Sequence, residues 1–326
     1  MSMAMSASAE QWRRLTDLVA QWVASPPADV SSVTSAEWEL LPSVCATHGV
    51  ASLLHIEGPS ASVWPARMRD WLAHQYTNNH ARISRMAVEL ADILMLFEGR
   101  GVQVMAMKGL AIGERVYQDI GSRPMNDIDL LIDACDLDTA ASLLAELGYA
   151  RGFGGWKHTK FQRPDNMQIV DETSEHPDNP RILEVHPRCV EKLVDDPVDI
   201  TEQVWAGAYK STLAGCNAWL MDVDDLWGYL LLHGTHHILH NNFRLLQLLD
   251  MARLVPLLKT PQHLVQNMDA RASYAPLVLL ERYFPSELTA RLRQTQRARL
   301  TPGFVQWADS LDLYTVSYLN PAPWRV

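Results

Sequence analysis

One stretch constrains this chain more than any other: Met105–Asp133, MAMKGLAIGERVYQDIGSRPMNDIDLLID. It reads as an apolar strand ending in Lys108-Gly109, then a short helix, a Gly-Ser-Arg-Pro turn and a second strand carrying Asp127 and Asp129. Residues two apart on a strand share a face, so the two aspartates project together while Ile128, Leu130 and Ile132 project the other way. Paired carboxylates at the head of an apolar strand are expensive to bury unless a cation meets them. A divalent metal ion suits, because hard cations take oxygen ligands.

The preceding strand supplies a complementary part. A strand that turns sharply through glycine into a helix directs backbone N–H groups at an anion such as phosphate, and Lys108 adds a point charge there. Arg123, in the turn, adds a second. Downstream, Arg181–Arg188 (RILEVHPR) reads as another strand, with Glu184 and His186 on one face and Leu183 and Val185 on the other. This is the expected place for a third carboxylate. His158 and Lys160 alternate on a shorter strand and face phosphate or acceptor on this reading, and Trp156 is placed to stack a base. Taken singly, each feature has a plainer explanation. Asp127 and Asp129 also suit a solvated strand edge, Lys108 an exposed strand end, and Tyr117 the packing of the short helix.

Taken together they form a pattern. Lys108-Gly109, Tyr117, Arg123, Asp127-Ile128-Asp129-Leu130-Leu131, Glu184-Val185-His186, a His-rich helical region ending near Asp250 and the leader Ala46-Thr47-His48-Gly49-Val50 resemble the DNA polymerase β-like nucleotidyltransferase superfamily. Within it, the chain most resembles a bacterial uncharacterised family with Lys-Gly where better-known members carry Gly-Ser. The resemblance implies an α+β fold, with a mixed-sheet core flanked by N- and C-terminal helical regions. It implies an enzyme that moves an NMP group from an NTP to an acceptor, which is a small molecule, peptide or protein. It assigns Asp127, Asp129 and Glu184 as catalytic residues and ligands of Mg²⁺ (or Mn²⁺). It assigns Lys108, Gly109, Arg123, His186, Arg244 and Asp250 to the nucleotide. The third carboxylate is usually Asp in the wider superfamily, so Glu184 departs from the pattern by one methylene.

Two other readings compete. One is a catalytically weak nucleotide-binding or antitoxin-like partner that keeps the fold. The other is a metal-dependent phosphohydrolase built on His233, His236, His237 and His240, whose i, i+4 pairs lie one helical turn apart. Neither a His-Asp dipeptide nor H-E-x-x-H occurs in the chain, which counts against the second reading and against a zinc protease.

Composition sets outer limits. With 326 residues, 48% of them hydrophobic, the chain can bury one large core or two small ones. A formal net charge of −10 disfavours a nucleic-acid partner, which calls for a basic face. The four cysteines form no C-x-x-C pair and read as reduced thiols of a cytoplasmic protein. MSMAMSASAEQWRRL lacks the basic-then-apolar order of a secretory signal, and no run of eighteen apolar residues suggests a membrane span.

The periodicity predicts helices over 10–24 (stopped by Ser25-Pro26-Pro27), 35–48 (stopped by Gly49) and 67–99. His48, Asn78 and Asn79 read as structural. Leu137–Leu147 reads as a helix, Gly152–Trp156 as a turn or bulged strand, His158–Arg163 and Met167–Asp171 as short strands, and Glu172–Pro180 as a loop. From Asp199 onward the chain reads as helical, with acidic caps at Asp222–Asp225 and a loop over Asn320–Val326. The expected division is a helical subdomain at 1–100, a nucleotidyltransferase core at 101–198 and a second helical subdomain at 199–326.

Overall fold

The computed structural model describes residues 7–25, 30–60, 62–171, 175–193 and 196–319. The expected Pro26-Pro27 stop, the first residues of the 172–180 loop and the 320–326 tail lie outside the described residues. In chain order the first helices are α1 (Ala9–Ala24), α2 (Ser35–His48), α3 (Ala51–Glu57), α4 (Ala66–Gly99), α5 (Leu110–Val116), α6 (Leu137–Glu146) and α7 (Thr201–Ala206). They are followed by α8 (Val223–Leu239), α9 (Leu245–Leu254), α10 (Pro261–Asn267), α11 (Tyr274–Tyr283), α12 (Glu287–Arg297), α13 (Pro302–Asp309) and α14 (Leu313–Tyr318). The strands are β1 (Val104–Ala106), β2 (Asp127–Ile132), β3 (Ala150–Gly154), β4 (Thr159–Gln162), β5 (Ile182–His186), β6 (Val190–Leu193), β7 (Asp196–Asp199), β8 (Tyr209–Leu213) and β9 (Cys216–Leu220). Among the described residues no helix is long and apolar enough to cross a membrane.

The fold is α+β with a mixed sheet and flanking helices, as the sequence implies. Backbone contacts separate two compact units. One, the sheet unit, takes Gln75–Glu191 and Pro197–Leu226; the other, the helical unit, takes Met1–His74, Lys192–Asp196 and Trp227–Val326. Two local features go with this division. Ile83, Met86, Leu90, Ile93, Leu94 and Phe97 of α4 pack into the sheet's own core, so this helix belongs with the sheet from Gln75 on. The stretch 209–220, read as helical, is instead the hairpin β8–β9. Ala214 and Gly215 both adopt positive φ (50° and 76°), the geometry of a tight two-residue hairpin turn.

The large sheet runs β3-β4-β5-β2-β1-β9-β8. β2 is antiparallel to β1 and parallel to β5, β1 is parallel to β9, and the outer pairs are antiparallel. Strand alternation then sorts the side chains. Ile128, Leu130 and Ile132 of β2, Leu183 and Val185 of β5 and Phe161 of β4 join one buried core with α4 and α6. The intervening positions, Asp129, Glu184 and His186, occupy the opposite face of the same strands. β3 carries the expected bulge, a register shift between Arg151 and Gly154. Met167–Asp171 is not a strand: the amides of Val170 and Asp171 donate to Asn179 Oδ1 (2.9 and 3.0 Å), and Met167, Ile169 and Val170 are exposed.

In the helical unit, α1 opens with a capping box between Ser8 and Gln11 and α2 with one between Thr34 and Glu37. Trp22, Trp38 and Trp64 form an aromatic cluster, Trp22 meeting Trp64 edge-on at 5.1 Å. Arg13 reaches Asp312 at 2.8 Å and Tyr283 donates to Asp17 at 2.8 Å, so the first helix packs with the last ones.

His48 is fully buried in this unit and accepts the backbone N–H of Leu245 through Nδ1 at 3.2 Å. Burial, helped by the nearby Arg244 guanidinium, pushes its pKa down to about 3. In the unfolded chain it titrates at about 6.5, so between these values the unfolded state binds the extra proton. Stability is therefore retained above pH 6.5 and falls as pH drops below it, by at most about 1.4 kcal/mol per pH unit from this residue. Urea unfolding at pH 7 and pH 5.5 is expected to show this loss in the wild type and a smaller one in His48→Gln.

Candidate functional site

β2 and β5 lie side by side in parallel with Asp129 opposite Glu184, and this register brings the two carboxylates together on the polar face. Asp127, Asp129 and Glu184 each offer an oxygen within 4.8 Å of the others. Around them stand four basic side chains. Lys108 Nζ lies 3.1 Å from Asp129 Oδ1, and His186 Nε2 lies 3.0 Å from the same oxygen. Lys160 Nζ lies 3.1 Å from Glu184 Oε1, and His158 Nδ1 lies 3.3 Å from Glu184 Oε2.

The charges are strongly biased by this arrangement. Burial works against an ionised Asp129, but Lys108 and His186 outweigh it and hold the carboxyl well below the usual carboxylate range. Burial and then the neighbouring Asp129 push Asp127 up, to about 7. Burial also opposes the charge on Lys108, yet Asp129, Asp127 and Glu191 together keep its ammonium above the ordinary lysine value. Burial depresses His158, with Glu184 opposing that shift and His186 adding to it.

A divalent cation fits this donor set: three convergent carboxylates are all-oxygen ligands of the kind Mg²⁺ takes. Burial first, and then the charge of Asp129, oppose an ionised Asp127, and a bound cation would offset both.

Gly109 sits between Lys108 and α5 with φ +57° and ψ −111°. A Cβ there would lie 3.1 Å from Met125 Cε and 3.6 Å from the Asp127 carbonyl oxygen. Glycine therefore allows the turn and lets β1 and β2 close up at the site. Gly109→Ala is expected to lower stability by about 1–3 kcal/mol, read by urea unfolding, because it adds left-handed strain to a tight contact.

Sequence reading gathered Lys108, Gly109, Asp127, Asp129, Glu184 and His186, and the structure brings these together. Lys108 faces a carboxylate, where it was expected beside phosphate. Arg123 is buried just after a single 3₁₀ turn, Ile120–Ser122. Arg244 and Asp250 belong to the helical unit, at the start of α9 and buried within it. Arg253 of α9 pairs with Glu57.

One side of α4 carries residues the sequence did not single out. Arg82, 4% exposed, donates to the carbonyls of Met125 (2.7 Å), Asn126 (3.3 Å) and Pro180 (2.6 Å). It thus fixes the residues just before Asp127 and just before β5. Asn79 Nδ2 donates to Gly121 O at 2.7 Å, and Glu89 accepts from Arg181 at 2.9 Å and Tyr149 at 3.3 Å. Residues 79, 82, 86 and 89 follow helical spacing, so Asn79, Arg82 and Glu89 form one polar row that anchors the segments bearing the carboxylates.

Three histidines at the end of α8 and just past it approach backbone carbonyls. His236 Nδ1 meets Lys192 O at 3.1 Å, His237 Nδ1 meets Asn242 O at 3.1 Å and His240 Nδ1 meets His236 O at 2.7 Å. Among the described residues, both groups of three ligand side chains close enough to share an ion include Glu184; neither includes a histidine of α8.

No curated protein shows significant sequence similarity to the chain. Similar solved structures include the antibiotic-resistance factor ANT(2'')-Ia in solution, 12% identical with a TM-score of 0.42, over 67% of this chain and 94% of that one. A crystal structure of ANT(2")-Ia with adenylyl-2"-tobramycin is 12% identical with a TM-score of 0.41, over 66% and 98%. An antigenic nucleotidyltransferase-like protein from Paracoccidioides brasiliensis is 13% identical with a TM-score of 0.39, over 67% and 93%. The sequence model of one family matches residues 34–273, well over half of the chain, and by that match the protein belongs to the uncharacterised nucleotidyltransferase family.

Proposed function

We propose that this protein is a metal-dependent nucleotidyltransferase that moves an NMP group from an NTP to a small-molecule, peptide or protein acceptor. The observation that carries this reading is the convergence of Asp127, Asp129 and Glu184 on one sheet face in a member of a nucleotidyltransferase family. On this reading the three carboxylates hold Mg²⁺ or Mn²⁺, which when bound neutralises phosphate charge and activates the attacking oxygen. Asp127 and Asp129 position the NTP phosphates. Glu184, with its longer side chain, takes up the acceptor's proton at a carboxylate oxygen. Lys108, close to both aspartates, exchanges its contact with Asp129 for one with a phosphate oxygen. Arg123, Gly109 and His186 line the nucleotide side.

The same convergence weighs against a catalytically weak partner, since such a protein has no need to keep a third carboxylate beside the first two. Nothing comparable supports the phosphohydrolase built on α8: among the described residues, neither group of side chains placed to share an ion includes a histidine of that helix.

Calorimetric titration of each NTP in Mg²⁺, with wild type and Asp127→Asn/Asp129→Asn, tests the reading. Binding of at least one NTP that needs Mg²⁺ and disappears in the folded double variant supports it. A folded wild type that binds no NTP, alone or with Mn²⁺, sinks it.

A further inference from the structure

The polar face that carries the three carboxylates also carries two imidazoles, those of His158 and His186. His186 ends β5 with its side chain 1% exposed. His158 directly precedes β4, and extending the Thr159–Val185 pairing by one residue sets it opposite His186. The two rings meet edge-on with centroids 5.1 Å apart. Glu184 lies between them: its Oε2 is 3.3 Å from His158 Nδ1 and 3.8 Å from His186 Nε2. One donor atom from each of the three side chains falls within 4.8 Å of the other two.

An ordinary ion-pair network explains this poorly. His158 Nδ1 is buried and makes no hydrogen bond, although a carboxylate oxygen stands 3.3 Å away. Nitrogen and oxygen are close but not aligned to share a proton. That is the relation of two ligands on one ion. Metal–nitrogen and metal–oxygen bonds of about 2.0–2.2 Å put neighbouring ligands roughly 3.3–3.5 Å apart on a tetrahedral ion and about 3 Å apart on an octahedral one. The 3.3 Å separation falls within that range and the 3.8 Å one lies a few tenths of an ångström beyond it, and Asp129 Oδ1, 3.0 Å from His186 Nε2, offers a fourth donor.

The chemistry of the set also differs from that of the aspartates. Mg²⁺ takes oxygen and dehydrates reluctantly, whereas imidazole nitrogens suit borderline first-row ions. Two histidines with one carboxylate is a ligand set that zinc enzymes use with an open position.

We propose that His158, Glu184 and His186 form a binding site for a zinc-class divalent ion, which the protein retains in the presence of Mg²⁺. Glu184 belongs both to this set and to the carboxylate trio. The inference rests on the geometry of the histidines and not on the nucleotidyltransferase reading.

Co²⁺, as a coloured substitute for Zn²⁺, reports the site directly. The full-length protein, stripped with chelator, is titrated with Co²⁺ in excess Mg²⁺ and followed by visible absorption, then challenged with Zn²⁺. One equivalent is expected to give d–d bands that Zn²⁺ abolishes and Mg²⁺ does not. His158→Ala, at a position 22% exposed and therefore tolerant, is expected to weaken Co²⁺ binding by at least the roughly 10–100-fold that outer-shell partners already cost. His186→Gln is expected to do the same where circular dichroism shows it folded. Asp127→Asn, outside the ligand set, keeps the Co²⁺ bands while losing Mg²⁺-NTP binding, which separates failure of this site from failure of the proposed function. Three results would overturn the proposal: no Co²⁺ bands from folded wild type, bands erased by Mg²⁺, or equal Co²⁺ affinity in wild type and His158→Ala. The last would place the ion elsewhere.

Discussion

Asp129→Asn is expected to remove both activity and stability, whereas Asp127→Asn removes activity and leaves the protein as stable as before or more so. The two residues lie two positions apart on β2, yet their surroundings are opposite. Asp129 is 4% exposed and accepts from both Lys108 and His186. Neutralising it leaves a largely buried ammonium without its principal counter-charge, a class of change that costs about 3–5 kcal/mol. Asp127 carries the reverse sign. Its pKa is raised to about 7, so its ionised form is favoured less in the folded state than in the unfolded one. That penalty is absent at low pH and grows as pH rises through about 4 toward 7. Asparagine at 127 removes it, and stability at neutral pH is expected to rise, by at most about 4 kcal/mol. On the proposed reading each variant forfeits a metal ligand, and with it several kcal/mol of charge stabilisation, so NTP-dependent transfer is expected to fall roughly a thousandfold in both. Urea unfolding at pH 7.5 alongside pyrophosphate release distinguishes the two variants. Equal stability losses would show that the asymmetry between the aspartates is misassigned.

Arg82→Met is expected to destabilise the sheet unit by about 3 kcal/mol or more and to cut nucleotide binding, although Arg82 is not assigned to nucleotide or metal. Its guanidinium answers three backbone carbonyls, at Met125, Asn126 and Pro180, and lies 3.5 Å from Glu175. Hydrogen bonds from a charged donor contribute about 1.5–3 kcal/mol each, and their loss leaves the carbonyls unanswered. Arg82→Lys keeps the charge but not the planar fork, so a single ammonium cannot serve the same three oxygens. It is expected to recover less than half of the lost stability. Full recovery with lysine would mean that charge alone, and not the span of the guanidinium, fixes the loop before Asp127. Thermal unfolding and Mg²⁺-NTP titration of both variants read the result.

The legible parts of the chain were those in which a local pattern and its chemistry coincide. In β2 and β5 the two-residue period of a strand puts Asp127 with Asp129, and Glu184 with His186, on one face, so both pairings follow from the sequence. The turn at Gly109 and the stop at Gly49, both at positive φ, were legible because glycine is the residue such geometry favours. The polar row on α4 was not. Asn79, Arg82 and Glu89 on a helix look like a solvated stripe until the segments they bind are in place. The hairpin β8–β9 was missed because Lys, Ser, Thr and Asn dominate its outer positions and its turn is Ala-Gly, without the Asn-Gly or Asp-Gly signature. Met167–Asp171 misled in the other direction, since its apolar residues alternate but remain exposed.

The way the two units are threaded sets the order in which the chain can finish folding. Every segment of the sheet unit has been made by Leu226, whereas the helical unit must join Met1–His74 to Trp227–Val326. During synthesis at about 5–20 residues per second, the first helices therefore wait on the order of ten to thirty seconds for their partners. Throughout that interval the side of α1 that meets the last helices, with Trp12 against Tyr318 and Asp17 bonded to Tyr283, has no mate, and the nascent chain offers it to chaperones while the sheet unit closes behind it.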